Sequence, residues 1–250
     1  MPEKEVFKLS NLLKSYEGKR ALSLSSLKIK KGERVALIGP SGAGKTTLLN
    51  LMANTIKADR GEILIDGIPM TEYGFGKQLH KKMGIIRQQF DLVGQLAVIH
   101  NVLAGRLGEW GFFKSLLSLF IPQDEKVAVK ALKRVGLEDR VYERTSKLSG
   151  GEQQRVALAR LLVQHPEVIL ADEPVASLDP ARAEDILQVL VKLAREEEQT
   201  LIASLHSVEY AKKYFSRIIS LRAGEIYFDL PSEKVSPEDL NNLYSLKEMK

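Results

Sequence analysis

Gly39-Pro40-Ser41-Gly42-Ala43-Gly44-Lys45-Thr46 decides how this chain is read. The apolar run Val35-Ala36-Leu37-Ile38 precedes it, and Thr47-Leu48-Leu49-Asn50-Leu51-Met52 follows it. Strand, glycine-rich loop and helix in that order, with the spacing G-x-x-x-x-G-K-[ST], make a phosphate-binding loop. Glycines let successive backbone N–H groups curl around an anion with no Cβ in the way. The helix N-terminus adds unpaired donors and a partial positive charge. Lys45 is placed to reach the β- and γ-phosphates and the Thr46 hydroxyl to bind Mg²⁺. Gly39, Pro40, Ser41, Gly42, Ala43, Gly44, Lys45, Thr46 and Thr47 are therefore the candidate phosphate-binding set.

The bulk numbers agree with a nucleotide-handling globular protein. The chain has 250 residues, 44% hydrophobic and 28% charged, enough for one domain with a substantial core. It has no cysteine, which excludes disulfides and thiolate metal sites. Met1-Pro2-Glu3-Lys4-Glu5 lacks an apolar signal core, and no apolar run approaches a spanning length, so neither secretion nor an intrinsic anchor is expected. The net charge of +5 is scattered without a dense Lys/Arg block, which fits a solvated surface and argues against nucleic acid as partner.

Along the chain, Phe7 to Tyr16 and Ala21 to Lys30 partly alternate apolar and polar residues, as half-buried strands do. Gly61 to Gly67 is a short strand bracketed by glycines, and the middle from about Phe90 to Gln164 is helical. Val168 to Ala171, Thr200 to Leu205 and Ser216 to Leu221 are apolar runs, and Pro180 to Gln199 has helical spacing at Ala183, Ile186, Leu187, Leu190, Leu193 and Ala194. Alternating β and α segments imply a mainly parallel, covered sheet. Pro231 to Lys250 is a short polar tail.

Leu148-Ser149-Gly150-Gly151-Glu152-Gln153-Gln154-Arg155 opens a second helix, with Val156, Ala159, Leu162 and Val163 on its apolar side. Taken alone, it is a Ser cap with two glycines at an anion-ready helix start. The string resembles the signature motif of ABC ATPases, and five further elements follow that family's order. Tyr16 lies where the family stacks an aromatic on adenine. Gln88 sits in a string that looks like the glutamine loop. Val168 to Asp172 with Glu173 is similar to the Walker B strand and its catalytic glutamate. Ala176-Ser177-Leu178-Asp179 looks like the D-loop, and His206 follows a strand as the switch histidine does. Phe90 to Val93, Asn101 to Gly108, Pro174 to Pro180 and Ser204 to Ala211 resemble more narrowly the ATP-binding subunits of phosphonate importers, to which phosphite importers are close. Three residues depart from the wider pattern: Arg87 stands where an aromatic is usual, Glu152 where glutamine is commoner, and Asp91 where Asn is common.

The resemblance implies an α/β fold: a P-loop (RecA-like) core with an N-terminal antiparallel β subdomain and an inserted helical subdomain. One ABC ATPase domain over 1–230 is expected, with core about 1–88 and 165–230, helical subdomain about 89–164, and tail 231–250. It also implies roles. Glu173, His206, Lys45 and Gln88 act in ATP hydrolysis; Thr46, Gln88 and Asp172 hold Mg²⁺; Tyr16 and the Ser149, Gly150, Gly151, Glu152 helix start join the phosphate loop in binding ATP. A carboxylate ending an apolar strand is rigidly held, which suits Asp172 to a metal and Glu173 to orienting and polarising a water. The implied assembly is a head-to-tail homodimer on the cytoplasmic face of the cell membrane. It works with an integral membrane permease and, indirectly, an extracytoplasmic substrate-binding protein. The rivals are an ABC ATPase of another transport system and a non-transport ABC ATPase. Glu109 to Ile121, with the sole Trp, is either packing of the helical subdomain or a surface for the permease.

Overall fold

A computed structural model describes residues 4–73, 77–87, 90–118, 122–176 and 178–245. In chain order the elements are β1 (Glu5–Tyr16), β2 (Lys19–Lys30), β3 (Arg34–Ile38), α1 (Lys45–Met52), β4 (Arg60–Ile65), β5 (Ile68–Pro69), α2 (Lys77–Lys82), β6 (Met83–Ile86), α3 (Val98–Leu103), α4 (Phe112–Leu117), α5 (Glu125–Arg134), α6 (Gly150–Gln164), β7 (Val168–Asp172), α7 (Pro180–Glu196), β8 (Thr200–Ser204), α8 (Val208–Tyr214), β9 (Arg217–Arg222), β10 (Glu225–Pro231) and α9 (Pro237–Tyr244). The described residues fall into two compact units, one within Met1–Gly74, Leu170–Glu173 and Gln199–Lys250, the other within Phe75–Ile169 and Pro174–Glu198.

The first unit holds an antiparallel sheet of order β2-β1-β4-β5. Its register places Phe7 opposite Ile29, Leu9 opposite Ile63 and Leu12 opposite Leu24. Phe7, Leu9 and Leu12 are all buried, and Asn11, at φ +49°, interrupts the two-residue alternation between Leu9 and Leu12. The second sheet runs β10-β9-β3-β8 and continues into residues 170–172 of β7. Strand β3 lies parallel to both β8 and β9. Val35, Ala36, Leu37 and Ile38 are all buried, as an unbroken apolar run in a covered parallel sheet must be. The edge strand β10 is antiparallel to β9 and alternates in exposure. It is joined through Ala223 and Gly224, both at positive φ, which is the backbone a two-residue hairpin of the favoured twist needs. The stretch read as a short polar tail contains α9, which starts with Pro237 and a capping box between Ser236 and Asp239.

The second unit is mainly helical. Val156, Ala157, Leu158, Ala159, Leu161 and Val163 of α6 are buried with Val98, Ile99, Val102 and Leu103 of α3 and Ala128, Ala131 and Leu132 of α5. The six apolar positions read on α7 are all buried. Buried Asn101 accepts from Val93 N–H at 2.8 Å and donates to Thr145 Oγ1 at 2.9 Å, stitching a loop to the helices. The apolar middle divides. Trp110 is buried at 5% exposure, with the Lys114 ammonium 4.9 Å from its ring centre, whereas Phe113, Leu116 and Leu117 face solvent. Residues 119–121 of that stretch lie outside the described residues. Among the described residues no helix is long and apolar enough to cross a membrane.

Candidate nucleotide site

The phosphate loop turns between the end of β3 and the start of α1. Gly39 has φ +145°, and a Cβ there would lie 2.1 Å from the Leu221 carbonyl oxygen. Gly44, at φ +102°, would bring a Cβ 2.7 Å from the Ala21 carbonyl oxygen. Only glycine meets both demands, so the two outer glycines of the motif are set by backbone packing as well as by room for a ligand. No side chain caps α1, and its first turn holds no acidic residue. Its leading amides are thus directed at the loop.

Lys45 is the first residue of α1 and is 5% exposed. Its Nζ donates to the Gly39 carbonyl at 2.8 Å and to the Pro40 carbonyl at 3.2 Å. Burial pulls its pKa below the ordinary lysine value, while the Glu173 and Asp172 carboxylates push it back up. Thr46 is exposed beside it, and its hydroxyl donates to Asp172 Oδ1 at 3.2 Å.

Asp172 ends β7 and Glu173 follows with φ +49°, a left-handed conformation for a residue with a side chain. Glu173 Oε1 lies 2.6 Å from His206 Nε2. A bond of that kind to a carboxylate requires the proton on Nε2. The sequence reading missed one participant. Ser204, the last residue of β8, is fully buried; its Oγ donates to Asp172 Oδ1 at 2.7 Å and accepts from Glu173 N–H at 2.8 Å. The signal was a hydroxyl inside a run read simply as apolar, since a polar side chain in a covered strand must find partners.

Tyr16 closes β1 and is 47% exposed, with Lys14 Nζ 5.5 Å from its ring centre. It is a surface ring and not a core aromatic. Gln88 and Ser177 lie outside the described residues.

In the helical unit, Ser149 caps α6. Glu152 Oε2 accepts from Ser149 N–H and from the Ser149 hydroxyl, each at 2.8 Å, and the Glu152 N–H returns to Ser149 Oγ at 3.4 Å. The hydrogen bonds from the Ser149 N–H and hydroxyl hold the Glu152 carboxyl below the usual glutamate range, against a small desolvation penalty and with help from the charges of Arg140 and Arg155. Glu152 thus closes a capping box, a role the commoner glutamine can also fill, with a charged carboxylate as the acceptor. A cleft of about 350 Å³ lies beside this helix start, lined by Ser149, Gly151, Arg155 and Arg182 among others.

Thus one unit carries a backbone anion cradle with a lysine, a hydroxyl, two carboxylates and an imidazole, which is the equipment of a P-loop nucleotide hydrolase. The family model described as ABC transporter matches residues 22–176. The chain is 45% identical over 233 residues to the phosphonates import ATP-binding protein PhnC 3 of Halalkalibacterium halodurans, covering 92% of this chain and 90% of that protein. It is 42% identical over 249 residues to the phosphonates import ATP-binding protein PhnC of Lactobacillus delbrueckii subsp. bulgaricus, covering 98% and 97%. Among solved structures it is similar to the dimeric post-hydrolysis ATP-binding cassette MJ0796 bound to ADP and Pi, with TM-score 0.75, 34% identity and coverage of 90% of this chain and 98% of that one. The ADP conformation of the cassette MJ1267 gives TM-score 0.80 at 26% identity, covering 97% and 96%. The chain belongs to the ABC transporter family and is one of its ATP-hydrolysing cassettes.

Proposed function

We propose that this chain is the ATP-hydrolysing subunit of an importer for phosphonate or a related phosphorus oxyanion. It works as a homodimer bound to an integral membrane permease on the cytoplasmic face of the cell membrane. An extracytoplasmic binding protein delivers the cargo. The observation that carries the reading is 42–45% identity to phosphonate-import ATP-binding proteins over more than nine-tenths of the chain. The conjunction of Lys45, Thr46, Asp172, Glu173 and His206 in one unit supports the chemistry.

Each residue has a task its position suits. The loop amides and Lys45 bind the phosphates, Lys45 exchanging the Gly39 and Pro40 carbonyls for phosphate oxygens. The exposed ring of Tyr16 stacks on adenine. Glu173 orients the attacking water and accepts its proton, and His206 exchanges its Nε2–H bond to Glu173 for one to a γ-phosphate oxygen. The convergence of the Thr46 hydroxyl and the Asp172 carboxylate fits Mg²⁺, which takes few protein oxygens and completes its shell with water and phosphate. When bound, Mg²⁺ neutralises developing phosphate charge. Gln88 is proposed as its further ligand. Ser149, Gly150, Gly151 and Glu152 of one copy close over the nucleotide of the other.

The test is reconstitution with the partner permease, measuring which loaded binding protein stimulates hydrolysis. Stimulation by phosphonate or phosphite is expected. Stimulation by an amino acid overturns the cargo assignment, and hydrolysis indifferent to any permease overturns the transport role.

A further inference from the structure

Ser204 is joined to both members of the acidic pair through a single oxygen. A serine hydroxyl has one proton and two lone pairs. The proton goes to Asp172 Oδ1 at 2.7 Å, the same oxygen that receives the Thr46 hydroxyl at 3.2 Å. One lone pair receives the Glu173 N–H at 2.8 Å. The first bond fixes the rotation of the Asp172 carboxylate. The second restrains the peptide ahead of the Glu173 Cα, whose φ of +49° persists only where its surroundings hold it. Full burial of Ser204 keeps water from competing for either bond.

From this geometry we propose that Ser204 is a positioning residue for hydrolysis. One hydroxyl sets both the aim of the metal-binding carboxylate and the backbone from which the water-orienting carboxylate projects. The inference rests on the ATPase reading of Asp172 and Glu173. It differs from a purely structural role, in which Ser204 satisfies its own buried oxygen and affects folding alone.

The test uses the full chain with Ser204→Ala, Ser204→Thr and Ser204→Val. Thr and Val have nearly the same shape, so their difference isolates the hydroxyl at equal crowding. Three quantities are read: melting temperature without nucleotide, affinity for a fluorescent ATP analogue in EDTA and in Mg²⁺, and kcat with the Mg²⁺ concentration for half activity. All variants are expected to bind the analogue in EDTA as the unaltered protein does. The gain in affinity on adding Mg²⁺ and kcat are each expected to fall about tenfold in the Ala and Val variants and to be largely retained in Thr. Ala and Val variants that change only the melting temperature overturn the proposal, as does a Thr variant as impaired as Val. In the unaltered protein the Glu173 amide is expected to be protected from hydrogen exchange, a measurement independent of any variant's folding; fast exchange there also overturns it. An unaltered protein showing no Mg²⁺-dependent nucleotide binding defeats the ATPase reading itself, an outcome distinct from normal behaviour in all three variants.

Discussion

At the scale of single residues, backbone geometry constrains the phosphate loop as tightly as ligand chemistry does. A methyl group at position 39 meets a carbonyl oxygen at 2.1 Å in a backbone conformation that side chains rarely adopt. Gly39→Ala is therefore expected to lower stability by roughly 2 kcal/mol or more, combining backbone strain with overpacking. Denaturant unfolding measures this, and an unchanged midpoint contradicts the packing described. Lys45 behaves differently, because its ammonium donates to two loop carbonyls, a role that water can also fill. Lys45→Ala is expected to weaken ATP binding by about tenfold to a hundredfold, the worth of a charge-assisted hydrogen bond. Unchanged affinity by titration removes Lys45 from the phosphates. Both residues could be read from the motif, whereas Ser204 could not. Its value depends on β8 lying beside the end of β7, and neighbouring strands far apart in sequence leave no local pattern.

At the scale of elements, the start of α6 shows how a departure from the family pattern resolves into ordinary capping. Glu152 accepts from the Ser149 N–H and hydroxyl, so its carboxyl is held below the unfolded value. A depressed carboxyl contributes stability above its unfolded pKa and loses it as pH falls through the folded pKa. Glu152→Gln keeps an acceptor and is expected to cost under about 0.5 kcal/mol, whereas Glu152→Ala costs about 1 kcal/mol. The Glu-to-Gln difference is expected at neutral pH and to shrink as pH falls through the folded pKa, which lies below the ordinary glutamate range. Unfolding of the pair across pH 3 to 7 measures it; a difference that persists in acid contradicts the charge assignment. Elements with strong periodicity were legible. Helix α7 has its apolar side where the spacing put it, and β3, β7, β8 and β9 follow their apolar runs. Strand β10 was not legible because Ala223-Gly224 is a weak hairpin signal and one side of an edge strand is polar. Helix α9 carried a readable start in Ser236-Pro237-Glu238-Asp239, but its polarity hid it in what looked like a tail. The apolar stretch around α4 defeated sequence reasoning for another reason: buried Trp110 and exposed Phe113 lie three residues apart, and composition does not distinguish inward from outward.

At the scale of the whole molecule, the chain has one phosphate loop and one signature helix start, and the ATPase reading needs both at each nucleotide. In the proposed assembly a second copy supplies the other half; the related cassette MJ0796 is dimeric. In that proposed assembly the free energy favouring closure comes from the γ-phosphate, whose charge meets the amides and hydroxyl of the partner's helix N-terminus. Once hydrolysis removes that charge, the difference in affinity between open and closed forms disappears and the dimer reopens. Blocking the chemistry without blocking binding should trap the closed form. Glu173→Gln keeps the size and a hydrogen-bonding oxygen at the site but removes the base. Turnover is expected to fall by about a hundredfold or more, in the range of a lost general base. Light scattering in ATP is expected to show the 27.9 kDa chain doubling in mass, and in ADP to show it reverting. Combining Lys45→Ala with Glu173→Gln should abolish the ATP-induced doubling, because the doubling depends on bound triphosphate. Normal turnover by the Gln variant takes Glu173 out of catalysis; lost turnover with no ATP-dependent change in mass takes the second copy out of the nucleotide site.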